Sequence, residues 1–112
     1  MTDEPKLVNE IIRHVQKETI DDPKMISDYI DKLSASIWDI GQARIKADFS
    51  YALKWRDIRK HVDSDKQADN EIMTTEEYKE RETCKYAEKT VVSTMQGLKK
   101  RLSMLQEQYK GF

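Results

Sequence analysis

The chain has 112 residues, the size of one modest domain. Charged residues make up 37% and hydrophobic residues 38%, with only three Gly and two Pro, which excludes a thick globular core and a strand-rich fold and suits long helices that each bury one stripe. The net charge of −1 excludes a uniformly basic surface, but it hides two acidic blocks (1–40 and 63–83) and two basic ones (41–62 and 84–112).

Thr2-Asp3-Glu4-Pro5 is a helix start, with capping oxygens ahead of a Pro that costs nothing in a first turn. Leu7, Val8, Ile11, Ile12 and Val15 follow at helical spacing, so a short N-terminal helix is expected over about 4–18. Asp21-Asp22-Pro23 repeats the start signal. A stripe of Ile26, Ile30, Leu33, Ile37, Ile40, Arg44, Ala47, Tyr51, Trp55, Ile58 and Val62 then steps by threes and fours. This predicts one helix from 23 to about 62, with Gly41 marking a bend or a close contact.

Residues 63–73 break the pattern. They are acidic, polar and rich in Asp and Asn, so a loop is expected there. Thr74 with Glu77 three residues later is a capping box. The last helix is predicted over about 75–109, with a seam of Cys84, Glu88, Val91, Met95, Leu98, Leu102, Leu105 and Tyr109. The fold class is all-α: a single helical domain over 1–112, built on a long antiparallel helical hairpin (about 23–62 and 75–109) with the short helix in front. Opposite charge blocks meet along both halves of that hairpin, which disfavours a wrong register although each exposed pair contributes little.

No signal peptide, lipidation motif or apolar run of about 18 residues is present, so a cytoplasmic location without membrane contact is expected. Cys84 is the single cysteine, and with His14 and His61 far away in sequence there is no metal-ligand spacing and no disulfide. The chain also lacks a Gly-rich phosphate loop and a Ser/His/Asp or Cys/His arrangement. Glu76, Glu77, Glu80 and Glu82 open a helix, where acids are favoured by the dipole. A non-enzymatic protein with no cofactor and no metal is expected.

Three features remain. The stretch Arg44, Lys46, Phe49, Tyr51, Lys54, Trp55, Arg56, Arg59, Lys60 and His61 mixes cations for phosphates with aromatic faces for bases. The bland alternative makes Tyr51 and Trp55 core and the cations a solvated face. Second, Trp38, Ile45, Phe49, Leu53 and Arg56 form another stripe, at steps of seven, four, four and three, turned away from the seam. Either the first helix covers it or a second copy of the chain does, because an exposed apolar patch is a liability in a monomer. Third, Lys99, Lys100 and Arg101 complement a helix C-terminus, and Lys110-Gly111-Phe112 form a short tail.

In order, a helical N-terminus, a long helix ending in Ala52-Leu53-Lys54-Trp55-Arg56, an acidic segment, Met73-Thr74-Thr75-Glu76-Glu77-Tyr78-Lys79-Glu80 and a long last helix resemble the small helical recombination-mediator proteins of tailed bacteriophages, the UvsY-like family. The resemblance covers most of the chain in architecture and about twenty residues in motif. It implies rings that bind single-stranded DNA and help load a recombinase onto DNA coated by single-strand-binding protein. Leu53-Lys54-Trp55-Arg56 matches in type and place the segment that the family associates with DNA.

On this reading Arg44, Lys46, Lys54, Arg56, Arg59 and Lys60 hold single-stranded DNA, while Trp38, Ile45, Phe49 and Leu53 form a homo-oligomer interface. The protein would then be a phage-type recombination or replication accessory, in the host cytoplasm if phage-encoded. The alternative is a protein-interaction adaptor or host-targeting inhibitor that binds no nucleic acid.

Overall fold

The computed structural model describes residues 4–110, and the side chains of residues 7–108. The expected cap at Thr2-Asp3, the Tyr109 side chain and the end of the tail, Gly111-Phe112, lie outside the described residues. Four helices follow in chain order: α1 (Glu4–Lys17), α2 (Pro23–Arg59), α3 (Asp65–Ile72) and α4 (Glu76–Lys110). Among the described residues there is no strand, and the fold is an all-α helical bundle.

The start signals act as helix caps. Asp22 Oδ1 accepts from the Lys24 N–H at 3.0 Å, with Pro23 in the first turn of α2. The cap of α4 lies one residue later than expected. Thr75 Oγ1 accepts from the Tyr78 N–H at 3.3 Å, while Thr74 Oγ1 donates to the Glu71 carbonyl at 2.9 Å.

The chief departure from expectation is at 63–73. Eight of these residues form α3 rather than loop, and α2 stops at Arg59 instead of about 62. Ser64, in extended conformation, caps α3: its side chain accepts from the Gln67 N–H at 3.2 Å, and the Gln67 side chain accepts from the Asp63 N–H at 2.8 Å. These two bonds satisfy donors that a short polar helix would otherwise leave to water. Ala68 and Ile72, one turn apart, are fully buried and anchor α3 by its apolar edge.

The chain divides into two compact units, Met1–Asp39 with Lys89–Phe112, and Ile40–Glu88. In the first unit Val8, Ile11, Ile20, Ile26, Leu33, Val91, Met95, Leu98 and Leu105 are buried. His14 Nδ1 meets the Tyr29 hydroxyl at 2.6 Å, and Arg101 pairs with Asp21 and donates to the Ile20 carbonyl at 3.4 Å, so the Lys99-Lys100-Arg101 run is partly used to tie down the α1–α2 connection. In the second unit the fully buried residues are Ala47, Ala68 and Ile72. A physical reason for the division is visible in burial: on α2 no hydrophobic residue between Leu33 and Ala47 is fully buried, and on α4 none before Val91. The predicted seam positions Arg44 and Glu88 fall in these stretches and pair with each other rather than pack.

Gly41 makes no close contact: nothing lies within 4 Å of where its Cβ would stand. Gly41→Ala is therefore expected to stabilise the protein by about 0.5–1 kcal/mol through helix propensity alone. A rise in the urea midpoint checks this; an unchanged or lower midpoint would show that the bare backbone is needed.

Candidate nucleic-acid interface

The basic–aromatic stretch lies wholly in the Ile40–Glu88 unit, where α2 carries two faces of different character. The inner face is a ladder of alternating charge. Arg44 Nη1 donates to Glu88 Oε1 at 2.8 Å and lies 3.9 Å from Asp48, whose other oxygen accepts from Arg81 Nε at 3.1 Å. The Arg81 guanidinium stands over the Tyr51 ring, 4.2 Å from its centroid. The partners on α2 advance from 44 to 48 while those on α4 fall from 88 to 81, so the two segments run antiparallel. The hydrogen bond that Arg44 donates to Glu88, then the charge of that carboxylate, raises the pKa of Arg44 above its ordinary value. Burial, then the carboxylates of Glu80 and Asp48, pushes the Cys84 thiol up, so it stays protonated at neutral pH and is a poor nucleophile.

Near its C-terminal end α2 is joined to α3. Trp55 Nε1 donates to Asp69 Oδ1 at 2.7 Å. Arg59 Nε donates to Asp65 Oδ1 at 2.7 Å, and Arg59 Nη1 to the Val62 carbonyl at 2.9 Å. The six cations expected to bind a strand thus separate into two groups. Arg44 and Arg59 are engaged in ion pairs. Among the described residues no ion pair involves Lys46, Lys54, Arg56 or Lys60. Tyr51 and Trp55 are half-buried and held by Arg81 and Asp69.

The outer face of α2 in this unit holds Ile45, Phe49 and Leu53, which are 65%, 66% and 46% exposed. With 100° per residue, these three and Arg56 fall within about 80° of arc, and Lys46 lies about 20° beyond that edge. Lys60 follows, exposed, in the turn after the helix, while Lys54 is half-buried and lies about 80° beyond Lys46, away from the arc. Lys46 thus precedes Phe49 by about one turn and Arg56 follows it by about two on the same side of α2, with Lys60 further on, and Phe49 itself is an aromatic ring free of the seam. Phe49 was expected both in the basic–aromatic stretch and in an oligomer interface, and the same spacing sets it on one arc with Arg56. The carboxylates of Asp65 and Asp69 were missed as partners. Their i, i+4 spacing was the available signal, readable only once α3 is known to be a helix.

In the other unit Trp38 is 71% exposed, so α1 does not cover it. Among the described residues, no group of His, Cys, Asp and Glu could hold a metal ion, and no helix is long and apolar enough to cross a membrane. Comparison with protein-family models, curated proteins and solved structures gives no match.

Proposed function

We propose that this chain binds single-stranded DNA without catalysis, through the outer face of α2 in the Ile40–Glu88 unit, as an accessory of phage-type recombination or replication. One observation carries the reading: the exposed Phe49 ring lies on one helix face with the unpaired cations Lys46 and Arg56, and Lys60 follows it. A polyanion with flat, unpaired bases needs both kinds of contact close together. The resemblance to phage recombination mediators supports the same reading and adds a recombinase or single-strand-binding protein as partner.

Self-association belongs to the proposal too. Trp38 in one unit and Ile45, Phe49 and Leu53 in the other leave apolar surface that a second copy would cover. A given Phe49 serves a strand or a second copy, not both at once.

The three cations of this face contribute a slope of about −2 in log affinity against log salt, a loss of roughly 20-fold between about 50 and 200 mM. Fluorescence anisotropy with a labelled oligonucleotide, together with solution mass with and without it, measures slope and assembly at once. Absence of binding at low salt sinks the reading. The exposed Ile45–Phe49–Leu53 stripe by itself favours the second reading, a protein-interaction adaptor or host-targeting inhibitor, whose partner affinity would scarcely respond to salt.

A further inference from the structure

Two residues of the basic–aromatic stretch are withheld from the proposed strand face by the chain itself. Asp69 accepts from the Trp55 indole and Asp65 from the Arg59 guanidinium, each at 2.7 Å. The two carboxylates are one turn apart on α3, as Trp55 and Arg59 are on α2, so one helix edge is matched to another. A carboxylate oxygen at that distance from a guanidinium stands where a phosphate oxygen would stand, with the same sign of charge and the same acceptor role.

Holding α3 in place does not require these bonds. Its Ala68–Ile72 edge is fully buried and its first turn is capped by Ser64. The Arg59–Asp65 pair is solvent-accessible, and such pairs add little to stability. The pair sets what charge surrounds the Arg59 guanidinium and, together with the Arg59 Nη1 bond to the Val62 carbonyl, where that side chain points.

We infer that α3 is an internal stand-in for the strand: Asp65 and Asp69 occupy Arg59 and Trp55, and a phosphodiester that displaces them gains both residues as an extension of the Lys46/Phe49/Arg56/Lys60 face. This rests on the strand-binding reading above. It makes the acidic segment a competitor of the ligand, so the affinity of the wild-type chain is set below what its cations could supply.

The test is a double-mutant cycle on strand affinity. Asp65→Asn is expected to tighten oligonucleotide binding about 5- to 10-fold at ~50 mM salt and to steepen the salt slope by about 0.7, the value of one more phosphate contact on a single strand. Arg59→Ala should leave wild-type affinity nearly unchanged, because Arg59 is not available, and should abolish the gain in the Asp65→Asn background. Glu71→Gln, on the same helix, makes the same change in net charge without releasing a cation, and is expected to leave the slope as it was. Asp69→Asn, in a Trp38→Phe background that leaves Trp55 as the single indole, should make Trp55 emission respond to the oligonucleotide where the Trp38→Phe parent does not.

Equal effects of Asp65→Asn and Glu71→Gln overturn the inference, as does an Arg59→Ala cost of the same size in both backgrounds. A silent Trp55 in the Asp69→Asn chain counts against it as well. Those outcomes leave strand binding itself standing. Absence of binding by both the wild type and Asp65→Asn at ~50 mM salt removes the strand-binding reading and the inference together.

Discussion

Replacing Lys46, Arg56 and Lys60 together with Ala is expected to weaken single-stranded DNA binding on the order of 100-fold at ~50 mM salt, and to flatten the salt slope by about 2. The three side chains are exposed and, among the described residues, in no ion pair, so the triple variant should keep its stability within about 0.5 kcal/mol. Loss of affinity together with loss of fold would mean that the cations are structural. Phe49→Leu separates the two uses of this face. Leucine keeps apolar bulk for contact with a second copy but offers no ring for a base. Strand affinity should fall by about 1–3 kcal/mol, the usual worth of one stacked base, with no change in salt slope, while self-association persists. The reverse pattern, intact strand binding and broken association, would assign the face to a second copy.

Much of the fold is legible in the residues. The Asp22-Pro23 start and the i, i+4 and i, i+7 steps through Ile26, Ile30 and Leu33 define the first half of α2, and Val91, Met95, Leu98 and Leu105 do the same for α4. Helix α3 was not read because its signal is local and weak. Eight residues allow one apolar repeat, Ala68 to Ile72, and the rest of the segment is polar. Its cap was in view all the same: Ser64-Asp65-Lys66-Gln67 has the spacing of a capping box, and the observed bonds use both ends of it.

The candidate site was less legible, for a different reason. The sequence lists cations but not their partners. Arg44 is paired because Glu88, 44 residues away, comes within 2.8 Å across the antiparallel pair, and Arg59 because α3 turns Asp65 towards it. Pairing of this kind depends on register, which periodicity leaves open by a turn. The outward stripe was readable because it depends only on spacing within one helix, and Ile45, Phe49 and Leu53 are exposed as that spacing requires.

Ile72→Ala is expected to cost about 2–5 kcal/mol, the range for truncating a large aliphatic side chain in a packed site. Ile72 is fully buried and, with Ala68, is the apolar anchor of α3, in a unit whose other fully buried hydrophobic residue is Ala47. Met73, the next residue, is 56% exposed, and Met73→Ala should stay within about 0.5 kcal/mol. Urea unfolding of the two variants side by side measures the contrast; equal small shifts would mean that α3 is not anchored through Ile72. Strand affinity adds a second readout. Because α3 carries Asp65 and Asp69 against Arg59 and Trp55, loosening its anchor should lower the urea midpoint and at the same time tighten oligonucleotide binding under conditions where the chain is still folded. General damage to the fold moves both quantities the same way, so the opposite signs distinguish an occupant that has been released from a site that has been lost.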